Sequence, residues 1–232
     1  MKNNSKIENN AIKWDEIIEI LENRQKNPDG NADKAPSVST IAEVFNHNPW
    51  PVLLSTILSL RTKDEVTLPA SGRLLEKAPT PARLLETDSR LAEKLIYPVG
   101  FYRNKIANLK KIAAILIDQY EGAVPRTMEG LLALPGVGRK TANLVLIEAF
   151  GLDGICVDTH VHRISNRAGW VSTKTPDDTE MALREILPLK FWKRFNGLLV
   201  LYGQNTCRPV SPFCSKCTLV SHCARINLST TR

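Results

Sequence analysis

Hydrophobic positions recur along this chain with the three-to-four-residue spacing of an amphipathic α-helix over most of its length. The clearest stripes predict helices over 14–24 and 104–120. Shorter stripes predict further helices over 49–60, 64–77, 87–97, 127–134, 140–150, 159–168, 177–187 and 190–203. No alternating strand pattern and no repeat of fixed length is present in the sequence. The pattern therefore predicts an all-α protein.

Two segments lie outside this helical pattern. The first ten residues are polar and lack the apolar centre of a secretion signal, so we expect no export. Residues 26–37 are polar and contain proline, which is typical of a linker. No apolar run approaches the roughly 18 to 20 residues that a transmembrane helix needs. We therefore expect a cytoplasmic protein with no membrane partner.

Composition and charge narrow the class of protein. The chain of 232 residues can bury one sizeable core or two small ones, and 43 % apolar residues are too many for a disordered chain. Lys and Arg total 31 against 24 Asp and Glu, which gives a net charge of +7. This excess suits a polyanionic partner such as nucleic acid, but it is also compatible with an ordinary, mildly basic protein.

Four of the five cysteines lie between positions 207 and 223. Two disulfides in so short a window would be unusual for an intracellular basic protein, so the pattern favours a metal site. Zinc sites usually pair two C-x-x-C hooks, whereas only Cys214 and Cys217 form one here. The spacing favours four thiolates around a 4Fe–4S cluster and leaves zinc as the alternative. Cys156 has apolar neighbours and is expected to be a buried core thiol.

A glycine turn at Leu134–Ala142 leads directly into a predicted helix. Gly136 and Gly138 allow a tight turn, and the first amides of a helix suit a phosphate. A Walker loop would need glycine directly before Lys-Thr, where Arg139 stands, and no strand precedes the turn. Two interpretations remain, a packing turn with a solvated Lys140 or a phosphate anchor with Lys140 as a nucleophile.

Asp158 begins the next predicted helix after two glycines. An aspartate in that position is commonly an N-cap, which accepts hydrogen bonds from the first amides of the helix. A carboxylate held beside Lys140 would instead accept its proton or stabilise a developing cation. Sequence spacing alone leaves both roles open.

Several segments together resemble the endonuclease III family, the helix-hairpin-helix DNA glycosylases that carry an iron–sulfur cluster. The resemblance extends from about Trp14 to Cys223. Each motif is moderately specific, and their shared order is highly specific. The resembling segments are LSLRTKDEVT (58–67), GFYRNKIANL (100–109), LPGVGRKTA (134–142), VDTHVHR (157–163) and the four C-terminal cysteines.

The resemblance implies two helical domains with the active site in the cleft between them. A six-helix barrel would cover 43–152 and include the helix-hairpin-helix at about 127–150. Residues 1–42 and 153–232 would form a discontinuous iron–sulfur domain. Its cluster loop, 207–223, would hold a 4Fe–4S cluster through Cys207, Cys214, Cys217 and Cys223.

The resemblance also implies an activity. Lys140 matches the catalytic lysine of the family and Asp158 its catalytic aspartate, so we expect a bifunctional DNA glycosylase and abasic-site lyase. Its substrates would be oxidised or ring-damaged pyrimidines in duplex DNA, extruded from the stack before reaction. Lys140 would displace the base, form a Schiff base and cut the strand by β-elimination.

The expected partner is duplex DNA, bound by a monomer. Arg61 and Phe101 match the residues that fill the space of the extruded nucleotide, where bacterial relatives commonly have glutamine and leucine. That departure leaves the opposite-base preference open. His160 and His162 are expected to make structural hydrogen bonds. The remaining DNA contacts are expected from the hairpin and the cysteine loop, namely Gly136, Val137, Gly138, Arg139, Arg208 and Lys216.

Two other functions remain as alternatives. One is a monofunctional adenine or mismatch glycosylase of the same superfamily, and the other is a non-catalytic DNA-binding module. Monofunctional relatives generally lack a lysine at the position of Lys140. The presence of both Lys140 and Asp158 argues against a module that only binds.

Overall fold

The computed structural model describes residues 12–26 and 37–232, and every regular element in these two ranges is helical. The prediction of an all-α protein is therefore confirmed. No helix in the described ranges is long and apolar enough to cross a membrane. Within the described residues, three short 3₁₀ turns accompany twelve α-helices: α1 Trp14–Lys26, α2 Ser37–Val44, α3 Pro49–Ser59, α4 Asp64–Lys77, α5 Pro81–Glu86, α6 Ser89–Ile96, α7 Tyr102–Tyr120, α8 Met128–Leu132, α9 Arg139–Phe150, α10 Thr159–Ala168, α11 Pro176–Ile186 and α12 Trp192–Asn205.

The chain divides into two units. One is continuous, Asp33–Cys156, and the other joins Met1–Ala32 to Val157–Arg232. The continuous unit includes α2, whereas the resemblance implies a first domain that begins at residue 43. The polar N-terminal segment up to residue 10 and most of the predicted linker lie outside the described residues.

The continuous unit is built around α3. Nine residues of this helix are buried, from Trp50 to Leu58, and α2, α4, α7 and α9 pack against it. The helix begins where its sequence predicts, because Pro49 occupies its first turn and the Asn48 side chain accepts a hydrogen bond from the Trp50 amide. A helix that is apolar on all sides is stable only inside a core, which explains its central place.

Two helices of this unit were not predicted. Pro81 is the first residue of α5, and the Thr80 hydroxyl caps this helix by accepting a hydrogen bond from the Arg83 amide. A proline at that position loses no helical hydrogen bond. In α2, the Ser37 hydroxyl donates to Asp64 Oδ1 at 2.5 Å, so a contact distant in sequence holds the start of the helix.

The discontinuous unit has its own core, where α1 packs against α12 and α12 against α10. Three aromatic rings meet there. The ring centroids of Trp14 and Trp170 are 5.3 Å apart, and that of Phe195 lies 5.9 Å from Trp14 and 6.2 Å from Trp170. Because Trp14 comes from the N-terminal helix, this cluster joins the two separate segments of the unit.

Candidate active site and nucleic-acid interface

The helical hairpin consists of α8, a tight turn and α9. The Thr127 hydroxyl caps α8 by accepting from the Gly130 amide at 3.1 Å, and the Val137 amide donates to the Leu134 carbonyl within the turn. A side chain from α7 fixes the outer part of the turn, where Asn108 Nδ2 donates to the Pro135 carbonyl at 2.8 Å. The turn is therefore held from inside and from the neighbouring helix.

The two glycines of the turn have different physical roles. Gly136 has a φ of +71°, which side-chained residues rarely adopt, and a Cβ there would lie 2.7 Å from Asn108 Nδ2. Gly138 has a φ of −95°, and a Cβ there would meet no protein atom within 4 Å. Gly136 is needed by the fold, whereas the open space beside Gly138 leaves the start of α9 accessible.

The start of α9 has the form of an anion site. The exposed Gly138 is its N-cap residue and contributes no side chain, while the buried Val137 anchors the turn. The dipole and the first amides of a helix favour a phosphate at such a position. Arg139, the first residue of α9, is half-buried.

Lys140 is the second residue of α9, and its side chain is exposed. Its backbone is held by the end of the same unit, because the Cys156 thiol donates to the Lys140 carbonyl at 3.6 Å. Gly154 lies so close to α9 that a Cβ there would be 2.8 Å from Asn143 Oδ1. Cys156 is 2 % exposed, which agrees with the core thiol expected from the sequence.

Asp158 is the N-cap of α10. Its Oδ1 accepts hydrogen bonds from the His160 amide at 2.8 Å and the Val161 amide at 2.9 Å. The capping role considered from the sequence is therefore present. The carboxylate is half-buried and belongs to the discontinuous unit, whereas Lys140 belongs to the continuous one.

Both histidines of α10 make structural hydrogen bonds. His160 Nδ1 accepts from Arg163 Nη2 at 3.1 Å, since a guanidinium can only donate. His162 Nδ1 lies 2.7 Å from Thr179 Oγ1. Gly203 leaves room for this packing, because a Cβ there would lie 2.3 Å from His160 Nδ1.

The four C-terminal cysteines are free thiols, each partly exposed. Arg167 Nη1 donates to Cys207 Sγ at 3.3 Å, and the Tyr202 hydroxyl lies 3.1 Å from Cys217 Sγ. Burial raises the pKa of the Cys223 thiol, and the other three cysteines raise that pKa further. The four thiols share the loop 207–223, and Arg167 and Tyr202 contact two of their sulfurs.

This donor set suits a soft metal cluster. In the described ranges, no three His, Cys, Asp or Glu side chains form a ready-made site for a metal ion. A 4Fe–4S cluster is held by four cysteine thiolates, and thiolates are the soft ligands that such clusters take. Four free thiols in one loop, with Arg167 donating to one sulfur, match that requirement.

Arg208 and Lys216 are exposed on the loop that carries the cysteines. The Arg208 guanidinium lies 5.1 Å from the centroid of the Phe213 ring, and its Nε donates to the Gln204 carbonyl. Lys216 ends the short 3₁₀ turn Cys214–Lys216. Their contact with DNA stays a prediction.

The structure brings Arg61 and Phe101 together. The Arg61 guanidinium lies 4.8 Å from the centroid of the Phe101 ring, a cation–π contact. Both residues adopt the left-handed backbone conformation, with φ of 55° and 56°. Phe101 is 58 % exposed, although a large aromatic residue is usually buried.

Sequence reasoning missed Lys105, a residue of α7 that contacts the chain on both sides of Arg61. Its ammonium donates to the carbonyls of Leu58 at 2.8 Å and Leu60 at 2.5 Å, and to Thr62 Oγ1 at 3.1 Å. Burial lowers the pKa of Lys105 to about 8. A signal was present, because position 105 is in helical register with the buried positions 109, 112 and 116 of α7.

Comparison with known proteins places this geometry in a family. Residues 54–189 match the model of the HhH-GPD superfamily base excision DNA repair protein. The chain is 48 % identical to endonuclease III of Thermotoga maritima over 76 % of this chain and 83 % of that protein. It is also 48 % identical to endonuclease III-like protein 1 of Bos taurus, over 72 % of this chain and 56 % of that protein.

A solved structure of an endonuclease III is also similar to this chain. The structure of a trapped endonuclease III–DNA covalent intermediate, an estranged-adenine complex, superposes with a TM-score of 0.74 at 33 % identity. The match covers 91 % of this chain and 96 % of that one. Hairpin, helical fold and relatives together define a base excision repair DNA glycosylase/lyase. The chain belongs to the endonuclease III family of the HhH-GPD superfamily.

The different roles of the two hairpin glycines can be tested by alanine substitution. Gly136→Ala is expected to destabilise the protein by on the order of 2 kcal/mol, because alanine is strained at positive φ and its Cβ meets Asn108. Gly138→Ala is expected to leave stability nearly unchanged. Thermal unfolding followed by circular dichroism measures both, and equal losses would contradict this assignment.

Proposed function

We propose that this protein removes oxidised or ring-damaged pyrimidines from duplex DNA and then cuts the strand at the resulting abasic site. The observation that carries the proposal is Lys140, an exposed lysine in the first turn of α9, directly after the open glycine turn. A trapped covalent intermediate is known for the endonuclease III that the chain resembles at 33 % identity.

In the proposed reaction, neutral Lys140 Nζ attacks the anomeric carbon of the extruded nucleotide. The glycosidic bond breaks and its electron pair leaves with the base. The lone pair of the bonded nitrogen then opens the sugar ring by breaking the bond between the anomeric carbon and O4′, which takes up a proton. The resulting Schiff base acidifies the neighbouring 2′ carbon, so loss of a proton from that carbon expels the 3′ phosphate by β-elimination. Asp158 is proposed to accept the proton of Lys140 or to stabilise positive charge on the sugar.

DNA binding is proposed to begin at backbone amides rather than at bases. Amides at the start of α9 and the turn residues Gly136 to Arg139 would contact phosphates without reading sequence. Arg208 and Lys216 would add contacts on the cysteine loop. The net charge of +7 supports attraction of a monomer to duplex DNA.

We also propose that Cys207, Cys214, Cys217 and Cys223 hold a 4Fe–4S cluster. When bound, the cluster cross-links the loop 207–223 and supplies a structural scaffold rather than a reaction step. The Arg167 and Tyr202 contacts to sulfur would orient two of the ligands. Free thiolate ligands suit a reducing compartment, so we place the protein in the cytoplasm.

The monofunctional alternative within the superfamily is less well supported. It would leave Lys140 without a chemical role, and a module that only binds DNA would leave both Lys140 and Asp158 without one. The sequence difference at Arg61 and Phe101 bears on the base opposite the lesion, not on the choice between these reaction types.

Borohydride trapping tests the lyase. Wild-type protein is expected to form a covalent complex with duplex DNA that carries an abasic site or thymine glycol, because borohydride reduces a Schiff base to a stable amine. Lys140→Gln is expected to bind the same DNA in a gel-shift assay and to give no complex. Wild-type protein that binds and is never trapped would contradict the proposal.

A matched pair of substitutions separates the two roles of Asp158. Asp158→Asn retains an N-cap side chain, so stability is expected to change little while excision of thymine glycol falls by roughly 10²-fold or more. Asp158→Ala removes both the cap and the charge. It is expected to lose excision as Asp158→Asn does and also to lower the free energy of unfolding by about 1 kcal/mol. Single-turnover excision and thermal unfolding measure the two effects. Full activity of Asp158→Asn would refute a chemical role.

Metal analysis tests the cluster. Protein purified without oxygen is expected to contain about four irons and four acid-labile sulfides per chain, bound by the four cysteines. Cys156→Ser is the control, because that buried thiol lies outside the cysteine loop and is expected to leave the iron content unchanged. About one zinc with no sulfide would show a different site.

A further inference from the structure

Two loops of the continuous unit carry strained residues side by side. Arg61 follows α3 and Phe101 precedes α7, and both adopt the left-handed backbone conformation. That conformation is usually adopted by glycine or asparagine, not by arginine or phenylalanine. Such strain persists only where surrounding contacts over-determine it, and it concentrates at functional sites. The contacts that hold these loops therefore show what maintains the pair.

Lys105 supplies the first of these contacts. It lies in the first turn of α7, yet its ammonium reaches the end of α3 and donates to the carbonyls of Leu58 and Leu60. The C-terminal end of a helix carries partial negative charge, so a cation is stabilised there. With Thr62 Oγ1 as the third acceptor, all three ammonium hydrogens have a partner.

Thr62 joins the two loops. Its Oγ1 accepts from Lys105 Nζ and from the Gly100 amide, each at 3.1 Å. The backbones are also in contact, because a Cβ at Gly100 would lie 2.9 Å from the Arg61 carbonyl oxygen. Lys105 and Thr62 thus fix the backbone beside each of the two strained residues.

The result is an exposed pair presented as one unit. The guanidinium of Arg61 lies 4.8 Å from the Phe101 ring centroid, and Phe101 is an exposed residue. The flat aromatic ring can stack on bases, and the planar guanidinium beside it can donate hydrogen bonds to the base that has lost its partner. Neither loop alone holds both side chains in this arrangement.

We propose that Lys105, acting with Thr62, is a positioning residue for nucleotide extrusion. The lysine locks Arg61 and Phe101 into one wedge that enters the duplex when the damaged nucleotide leaves the stack. This inference rests on the proposed function, since it assigns the pair to the same DNA substrate. Lys105 itself contacts neither DNA nor the reacting atoms.

The test measures wedge entry without base excision. The probe is a duplex with 2-aminopurine opposite a tetrahydrofuran abasic analogue, saturated with full-length protein, and the readout is the fluorescence change. Lys105→Met and Thr62→Val are expected to bind the probe but to give a fluorescence change that is smaller than the wild-type change by roughly fivefold or more. Without either contact, one left-handed residue can relax. The strain released there is enough to shift the population away from the wedge arrangement by that factor.

Two matched controls separate positioning from general stability. Lys110 lies on the same helix and donates to the Thr87 carbonyl at 2.5 Å, away from both loops, so Lys110→Met is expected to retain the full change. Thr62→Ser keeps the hydroxyl and is expected to restore what Thr62→Val loses. This second pair decides the question even if Lys105→Met fails to fold.

The outcomes distinguish this proposal from the proposed function. A wild-type fluorescence change that persists in Lys105→Met and Thr62→Val would overturn the positioning role, as would equal losses in Lys110→Met and Thr62→Ser. No change with wild-type protein at saturation would overturn the wedge itself. Failure of the proposed lyase appears elsewhere, as absence of borohydride trapping on an abasic-site duplex.

Discussion

The hydrogen bond from Asn108 Nδ2 to the Pro135 carbonyl joins α7 to the hairpin turn, and the placement of Lys140 depends on it. Gly136 gives the turn its positive φ, and α9 begins three residues later. Three positions before Asn108, about 4.5 Å along the helix axis, Lys105 holds the loops of Arg61 and Phe101. One helix therefore fixes the proposed nucleophile and the proposed wedge within the same unit.

A second helix has the corresponding place in the discontinuous unit. The cap of α10 is Asp158, whose carboxylate is fixed by two backbone amides. Further along α10, Arg163 donates to the Cys207 carbonyl and Arg167 to Cys207 Sγ. The proposed acid–base residue and the cysteine loop are thus attached to one rigid element, and a cluster in that loop would stabilise it.

The sequence predicts most of this arrangement, and its failures have physical causes. Ten helices follow from periodic apolar residues, and the hairpin and the four cysteines follow from local spacing. Helix α2 was missed because its start at Ser37 depends on the carboxylate of Asp64, which is distant in sequence. Helix α5 was missed because its first residue is a proline, Pro81. Lys105 and Asn108 were missed because their partners, backbone carbonyls and the Thr62 hydroxyl, are brought close only by tertiary folding. Nothing local marks the positive φ of Arg61 or Phe101.

Lys140 is the proposed site of the covalent bond to DNA, and mapping of the trapped adduct identifies the lysine that forms it. A borohydride-reduced complex with abasic-site DNA can be digested with nuclease and protease and sequenced by tandem mass spectrometry. A reduced deoxyribose remnant is expected on the Lys140 side chain, within the peptide that contains the hairpin. A remnant on another lysine or on the terminal amine, with Lys140 unmodified, would contradict that proposal.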